Sequence, residues 1–242
     1  WNGASVTAEP DDYNIFNSAG AAVAAHLVQK ENGALPIRTY QEIGADTFSS
    51  IVGGLTKVHE VGEGAAMQVV VRPSSAAKKR VFGYVEMLKK GEPLEKALEH
   101  RLPIGFSEVS RGLNPKQKIE EKKERVVDEE AVKALEAKSA KPLFEANVRL
   151  VASAPSPFQA NDILDGLAAG FKQFGSPRRN DFRVIKPKNP AKLISQFIYR
   201  TFDAGQAMLL NSEEIASFFH LPTSTTETPK VKWLKAKEAA PP

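Results

Sequence analysis

Along this chain, apolar positions recur with a period near two in some stretches and near 3.6 in others. Each change of period is marked by Gly, Pro or a capping residue. Residues 21–30 ("AAVAAHLVQK") read as a strand, with Asn32-Gly33 as its turn. The piece "LPIRTY" is extended, because Pro36 forbids a helix interior there. Asp46 and Thr47 are N-cap types ahead of Phe48, Ile51, Val52 and Leu55, which recur at helical spacing. "MQVVVRP" is β-branched and ends at Pro73, so it reads as a buried strand. "SSAAKKRVFGYVEMLKKGE" is an amphipathic helix that stops at Gly91.

The second half is patterned more cleanly. "PLFEANVRLVASA" places Phe144, Ala146, Val148 and Leu150 on one face of a long half-buried strand. Ser156 and Pro157 open a helix that carries Phe158, Ile163, Leu164, Leu167, Phe171 and Phe174 and ends at Gly175. "NDFRVIKP" is a strand, and "NPAKLISQFIYRTF" is a helix with an Asn cap and Pro at its first position. "GQAMLL" is a short strand. A last helix follows, with Asn211 and Glu214 in capping-box positions and Pro222 as its stop.

The alternation predicts an α+β protein of two α/β layers joined by a charged helical linker. A ferredoxin-like arrangement is expected for each half, helices on one face of a mostly antiparallel sheet, with a doubly wound parallel sheet as the competing architecture. The expected boundaries are residues 1–91 for the first subdomain and 92–141 for the linker. Residues 142–222 form the second subdomain and 223–242 a connector tail. The linker is dense in both charge signs and reads as a solvated stretch plus a helix with i,i+4 ion pairs.

Composition narrows the classes. The 242 residues, 42% hydrophobic and 26% charged, suit a soluble globular protein able to bury a core. With no cysteine, a disulfide framework and thiolate chemistry are excluded, which fits a reducing interior and a cytoplasmic location. No apolar run is long enough to cross a bilayer, and the start has neither a basic region nor an apolar one typical of a signal peptide. It opens on Trp1, and we expect a segment excised from a longer chain.

Catalytic patterns are sparse. "GGLTK" has the wrong order for a phosphate-binding loop and reads as a helix interruption that permits close packing. "GEGAAM" precedes a strand, where a dinucleotide fingerprint would follow one. His26, His59, His100 and His220 are scattered, with none paired at metal-ligand spacing. No nucleophile elbow is present. The expectation is therefore a domain with no catalytic residue, metal or cofactor of its own.

One electrostatic feature rises above the background. Arg178, Arg179, Arg183, Lys186, Lys188 and Lys192 crowd into residues 172–192, opposed there only by Asp181. With Phe174 and Phe182 interleaved, they could form a phosphate-contacting strip of a stand-alone nucleic-acid-binding module, for DNA or RNA. The competing reading is a solvated loop and an edge strand whose charges discourage edge pairing, with both phenylalanines facing the core.

Several phrases occur in a recognisable order: "LPIRTYQEIG", "GEGAAMQVVVRP", "AKPLFEANVRLVASA", "FKQFGSPRRNDF", "LNSEEIASFFHLP" and "TPKVKWLKAKEAAPP". They resemble the region preceding the motor in type IV secretion or conjugation ATPases of the HerA/FtsK-like superfamily, the coupling-protein-like group. The resemblance spans residues 35–242, and the last two phrases are its most specific part. It implies a non-catalytic N-terminal domain of a secretion or DNA-translocation ATPase, a parent that is an ATPase, and protein–protein interaction as this segment's role. The implied partners are the parent's own C-terminal motor or neighbouring subunits, with Phe218, Phe219 and Trp233 facing that motor. DNA is a further implied partner, and any membrane association would come through the parent. The nucleotide-binding motifs of that family are absent here, so no catalytic residue carries over.

Overall fold

A computed structural model of the chain describes residues 14–58, 62–99 and 127–220. Trp233, the connector tail, His59, His100 and most of the linker lie outside the described residues.

The described chain is α+β, as its pattern predicts. Five strands form one sheet in the order β2-β3-β1-β4, with β5 also paired to β3. They are β1 (Ala21–Gln29), β2 (Gly64–Pro73), β3 (Leu143–Ala154), β4 (Phe182–Ile185) and β5 (Met208–Asn211). Every pairing is antiparallel. The doubly wound parallel alternative is thereby excluded. The two separate layers expected from the sequence are also corrected, because strands from both halves share this sheet.

The reason is visible at β3. Its apolar face needs neighbours along its whole length, and no single half supplies them. β2 runs beside it from Gly64↔Ser153 to Pro73↔Phe144. On its other side β1 covers residues 149–154 and β5 covers residues 143–146. β3 is thus a central strand, buried from Ala146 to Ala154 on both faces, and the half-buried assignment is corrected.

One face of the sheet carries Ala25, Leu27, Val148, Leu150 and Ala152 against α6 (Pro157–Ala169). Helix α6 starts where the sequence places it, with Ser156 accepting from the Gln159 amide and Pro157 in the first turn. It then tightens into a 3-10 turn, Gly170–Phe174. Phe158 does not join the core; it is 83% exposed. Helix α2 (Thr47–Val52), capped by Asp46, crosses beside α6 and runs on as the 3-10 turn Gly53–Lys57. "GGLTK" does permit close packing: a Cβ on Gly54 would lie 2.7 Å from Gly166 backbone atoms.

The opposite face is covered by α7 (Ala191–Ile198), whose Leu193 packs with Ala24 and Val151. A third cluster sits at the Leu143 end of β3. There α3 (Ser75–Lys89), α4 (Leu94–Glu99) and α5 (Glu129–Ala140) pack through Val81, Val85, Leu88, Ala97 and Leu135. Gly91 adopts φ 80 just past α3, the left-handed position that ends a helix cheaply only with glycine.

Candidate functional site

The phrase "LNSEEIASFFHLP" opens as β5 and α8 (Ser212–Phe218). Its capping box forms as the sequence predicts. Asn211 accepts from the Glu214 amide, and the Glu214 carboxylate accepts from the Asn211 amide at 2.7 Å. The cap carboxylate does more than cap. Its other oxygen accepts from the Ile37 amide at 2.9 Å, and the group is fully buried.

Lys138, from α5, is its counter-ion. Nζ lies 3.1 Å from Glu214 Oε2 and donates also to the Leu35 and Leu209 carbonyls at 3.2 and 2.8 Å. An ammonium has three protons, and each has an acceptor here. Burial pushes the Lys138 pKa down from its ordinary value, and the Glu214 charge pulls it back up. Lys138 follows Ala131, Val132 and Leu135 on the buried stripe of α5, which is the one sequence signal of its position. The sequence reading missed the pair.

Around this lock helix α8 is fastened on several sides. Thr47 Oγ1 donates to the Ser217 carbonyl, and the Tyr40 amide of the short helix α1 (Tyr40–Ile43) donates to Ser217 Oγ at 3.0 Å. Phe218 meets Phe171, Phe174 and Phe182 at ring-centroid distances of 5.8 to 6.2 Å. It is completely buried. That corrects the expectation that Phe218 faces a motor, since a ring filling the domain's own core has no surface to offer. Phe219, one residue on, is 51% exposed, and Tyr40 beside the same helix is 43% exposed. His220 packs on Phe48 with ring centroids 5.1 Å apart, and its Nε2 is 3.6 Å from Asp46 Oδ1.

The six cations singled out between 172 and 192 do not form one strip. Arg178, in the left-handed region at φ 60, pairs with Asp128 and Glu130. Arg179 pairs with Glu42; burial pushes that carboxyl's pKa up, but the hydrogen bond from the Thr39 amide and the Arg179 guanidinium hold it below its ordinary value. Lys186 reaches Asp165 at 2.6 Å, and Lys192 reaches Asp203 at 3.6 Å. Arg183 lies on β4, and Lys188 lies between β4 and α7. Phe174 is fully buried and Phe182 packs against the same core, as expected.

The other sheet face holds a polar cluster that the sequence reading also missed. Gln68, Arg149 and His26 stand in one cross-strand row. Buried Arg149 donates to Gln68, Asn147 and the Gln196 and Thr201 carbonyls. Burial lowers the His26 pKa; the Asp203 charge opposes this and the Arg149 charge adds to it. A hydrogen bond from Gln196 and another from the Gly205 amide hold Asp203 low. Nearby, a cleft of about 740 Å³ is lined in part by Arg72, Arg80, Tyr84, Glu145 and Gln206. Arg72 is tied to Glu145 at 2.6 Å and stacks 4.1 Å over Phe202. Among the described residues no group of three or more His, Asp or Glu side chains is placed to hold a metal ion. No helix among them is long and apolar enough to cross a membrane.

Among the described residues, a five-stranded antiparallel sheet closed by the ion-paired helix α8 defines an α+β domain. The chain belongs to the family described as Domain of unknown function (DUF8128), whose model matches residues 3–234. No curated protein and no solved structure matches it.

Proposed function

We propose that this chain is the non-catalytic pre-motor domain of a secretion or DNA-translocation ATPase, acting through protein–protein contacts with its motor or with neighbouring subunits. The observation that carries the reading is the seating of "LNSEEIASFFHLP". Glu214 and Phe218 weld α8, the last described helix, into the core, while Phe219 and Tyr40 stay exposed beside it. A helix so fixed delivers the following chain from one defined point on the domain. Exposed aromatic side chains at such a point are the residue type enriched at protein interfaces.

The resemblance in the ordered phrases supplies the partner, and the sequence supplies no nucleotide-binding loop of its own. The nucleic-acid reading is less well supported, because four of the six candidate cations are paired within the domain.

The coding sequence following residue 242 tests this directly. It is expected to carry a Gly-Lys-Ser/Thr loop within roughly one α/β unit. The protein extended through that unit is expected to hydrolyse ATP, whereas residues 1–242 are not. A stop codon in that place, or ATP hydrolysis by residues 1–242, would overturn the proposal.

A further inference from the structure

We propose that the free edge of β4 is a docking site for an extended, acidic segment of a partner protein, which adds a strand to the sheet. Three observations meet there.

The first is backbone. β4 ends the sheet order, pairing β1 from His26↔Ile185 to Gln29↔Phe182. Among the described residues its other side has no strand partner. Unpaired amide and carbonyl groups on an edge are a template for another strand; here the Phe182 amide donates to Asp181 Oδ1 at 2.7 Å, so an added strand would pair chiefly at Val184.

The second is shape. Beside β4 lies a groove of about 700 Å³ between the strand and the turn that follows α6. Its floor is apolar, made by Ala168, Phe182 and Val184 over the buried Phe171. In an added strand, alternate side chains would drop onto that floor while the intervening ones stayed in water.

The third is charge. Lys30, Lys172, Arg183 and Lys186 rim the groove against a single carboxylate, Asp165, which is held by Lys186. The remaining positive rim complements acidic residues on the incoming strand and disfavours a basic one. Single-stranded nucleic acid fits less well, because Phe171 is 1% exposed and leaves Phe182 as the one partly exposed ring lining the groove, too few for successive bases to stack on. The proposal does not depend on the motor reading, since any partner with such a strand would serve.

The test uses residues 1–242 and a blocked peptide of about eight residues alternating Glu and Val, a length that matches an ordinary strand. Its controls are the matching Lys-Val peptide and oligothymidine. The Glu-Val peptide is expected to bind, and the Lys-Val peptide is not. Hydrogen exchange is expected to show new protection at the outward-facing Val184 amide of β4. The double variant Lys172→Glu/Arg183→Glu should weaken binding about tenfold or more, while Lys172→Arg/Arg183→Lys should retain it. Far-UV circular dichroism checks that both variants fold. Absence of peptide binding at millimolar concentration, equal binding of both peptides, or protection elsewhere would overturn the proposal. So would tighter binding of oligothymidine, or self-association that the charge-reversed variant abolishes.

Discussion

Lys138 Nζ lies 3.1 Å from Glu214 Oε2, and both side chains are fully excluded from solvent. The pair joins a helix of the charged linker to the last helix of the described chain. It therefore ties together segments that the sequence assigns to the linker and to the second subdomain. Two buried charges in contact are costly to create and more costly to separate.

Removing one partner should expose that cost. Glu214→Gln preserves a side chain able to cap α8 but leaves the Lys138 ammonium without its anion. A loss of about 3–5 kcal/mol is expected from urea denaturation. Lys138→Met should cost a similar amount. The double variant should lose clearly less than the sum, and simple additivity would mean the two charges are not coupled.

Adjacent phenylalanines should behave oppositely. Phe218→Ala empties a core position among Phe171, Phe174 and Phe182, so a loss of about 3–5 kcal/mol is expected. Phe219→Ala, at a 51% exposed residue, should change stability by less than about 0.5 kcal/mol. If the proposed pre-motor role holds, Phe219→Ala in a protein extended through the proposed motor should instead weaken the contact between the two, measured by limited proteolysis of the junction.

Two neighbouring glycines offer a matched comparison by thermal melting. A Cβ at Gly54 would come within 2.7 Å of the Gly166 and Leu167 backbone, and backbone cannot swing aside. Gly54→Ala should destabilise by about 1–3 kcal/mol. At Gly53 the backbone is right-handed helical at φ -54 and no atom lies within 4 Å of an added Cβ. Gly53→Ala should be neutral or stabilising by about 0.4–1 kcal/mol.

The polar sheet face predicts a pH effect. Burial is the main cause that lowers the His26 pKa below its ordinary 6.5, so the unfolded chain takes up a proton that the folded one resists. Stability contributed by neutral His26 is full above the unfolded pKa and is lost as pH falls through 6.5 towards the folded value. His26→Gln, which cannot titrate, should flatten the fall in urea midpoint between neutral and mildly acidic pH. An unchanged slope would show that another group dominates this range.

Local structure was largely legible because its causes are local. Asp46, Ser156 and Asn211 cap the helices their positions announce, since a cap needs only a side-chain oxygen two or three residues ahead of free amides. The alternation of residues 143–154 marks a strand because side chains of an extended chain leave it on opposite sides. The aromatic residues Phe171, Phe174 and Phe182 reach the core for the same reason, each lying on the apolar face of its element.

What the sequence could not carry was which faces meet. Asn147 and Arg149 stand on the polar side of β3, and only the placement of α7 and the loop after it covers them. Arg178, Arg179, Lys186 and Lys192 look like one basic strip along the chain. In space each meets an acid from a different element, because an ion pair depends on distance across the fold and not on spacing along it. The sequence by itself determined the elements, their caps and the α+β class. The tertiary structure alone decided that both halves share one sheet and that Lys138 meets Glu214. Strand pairing and burial are settled by contacts between residues far apart in the chain, and no local pattern records them.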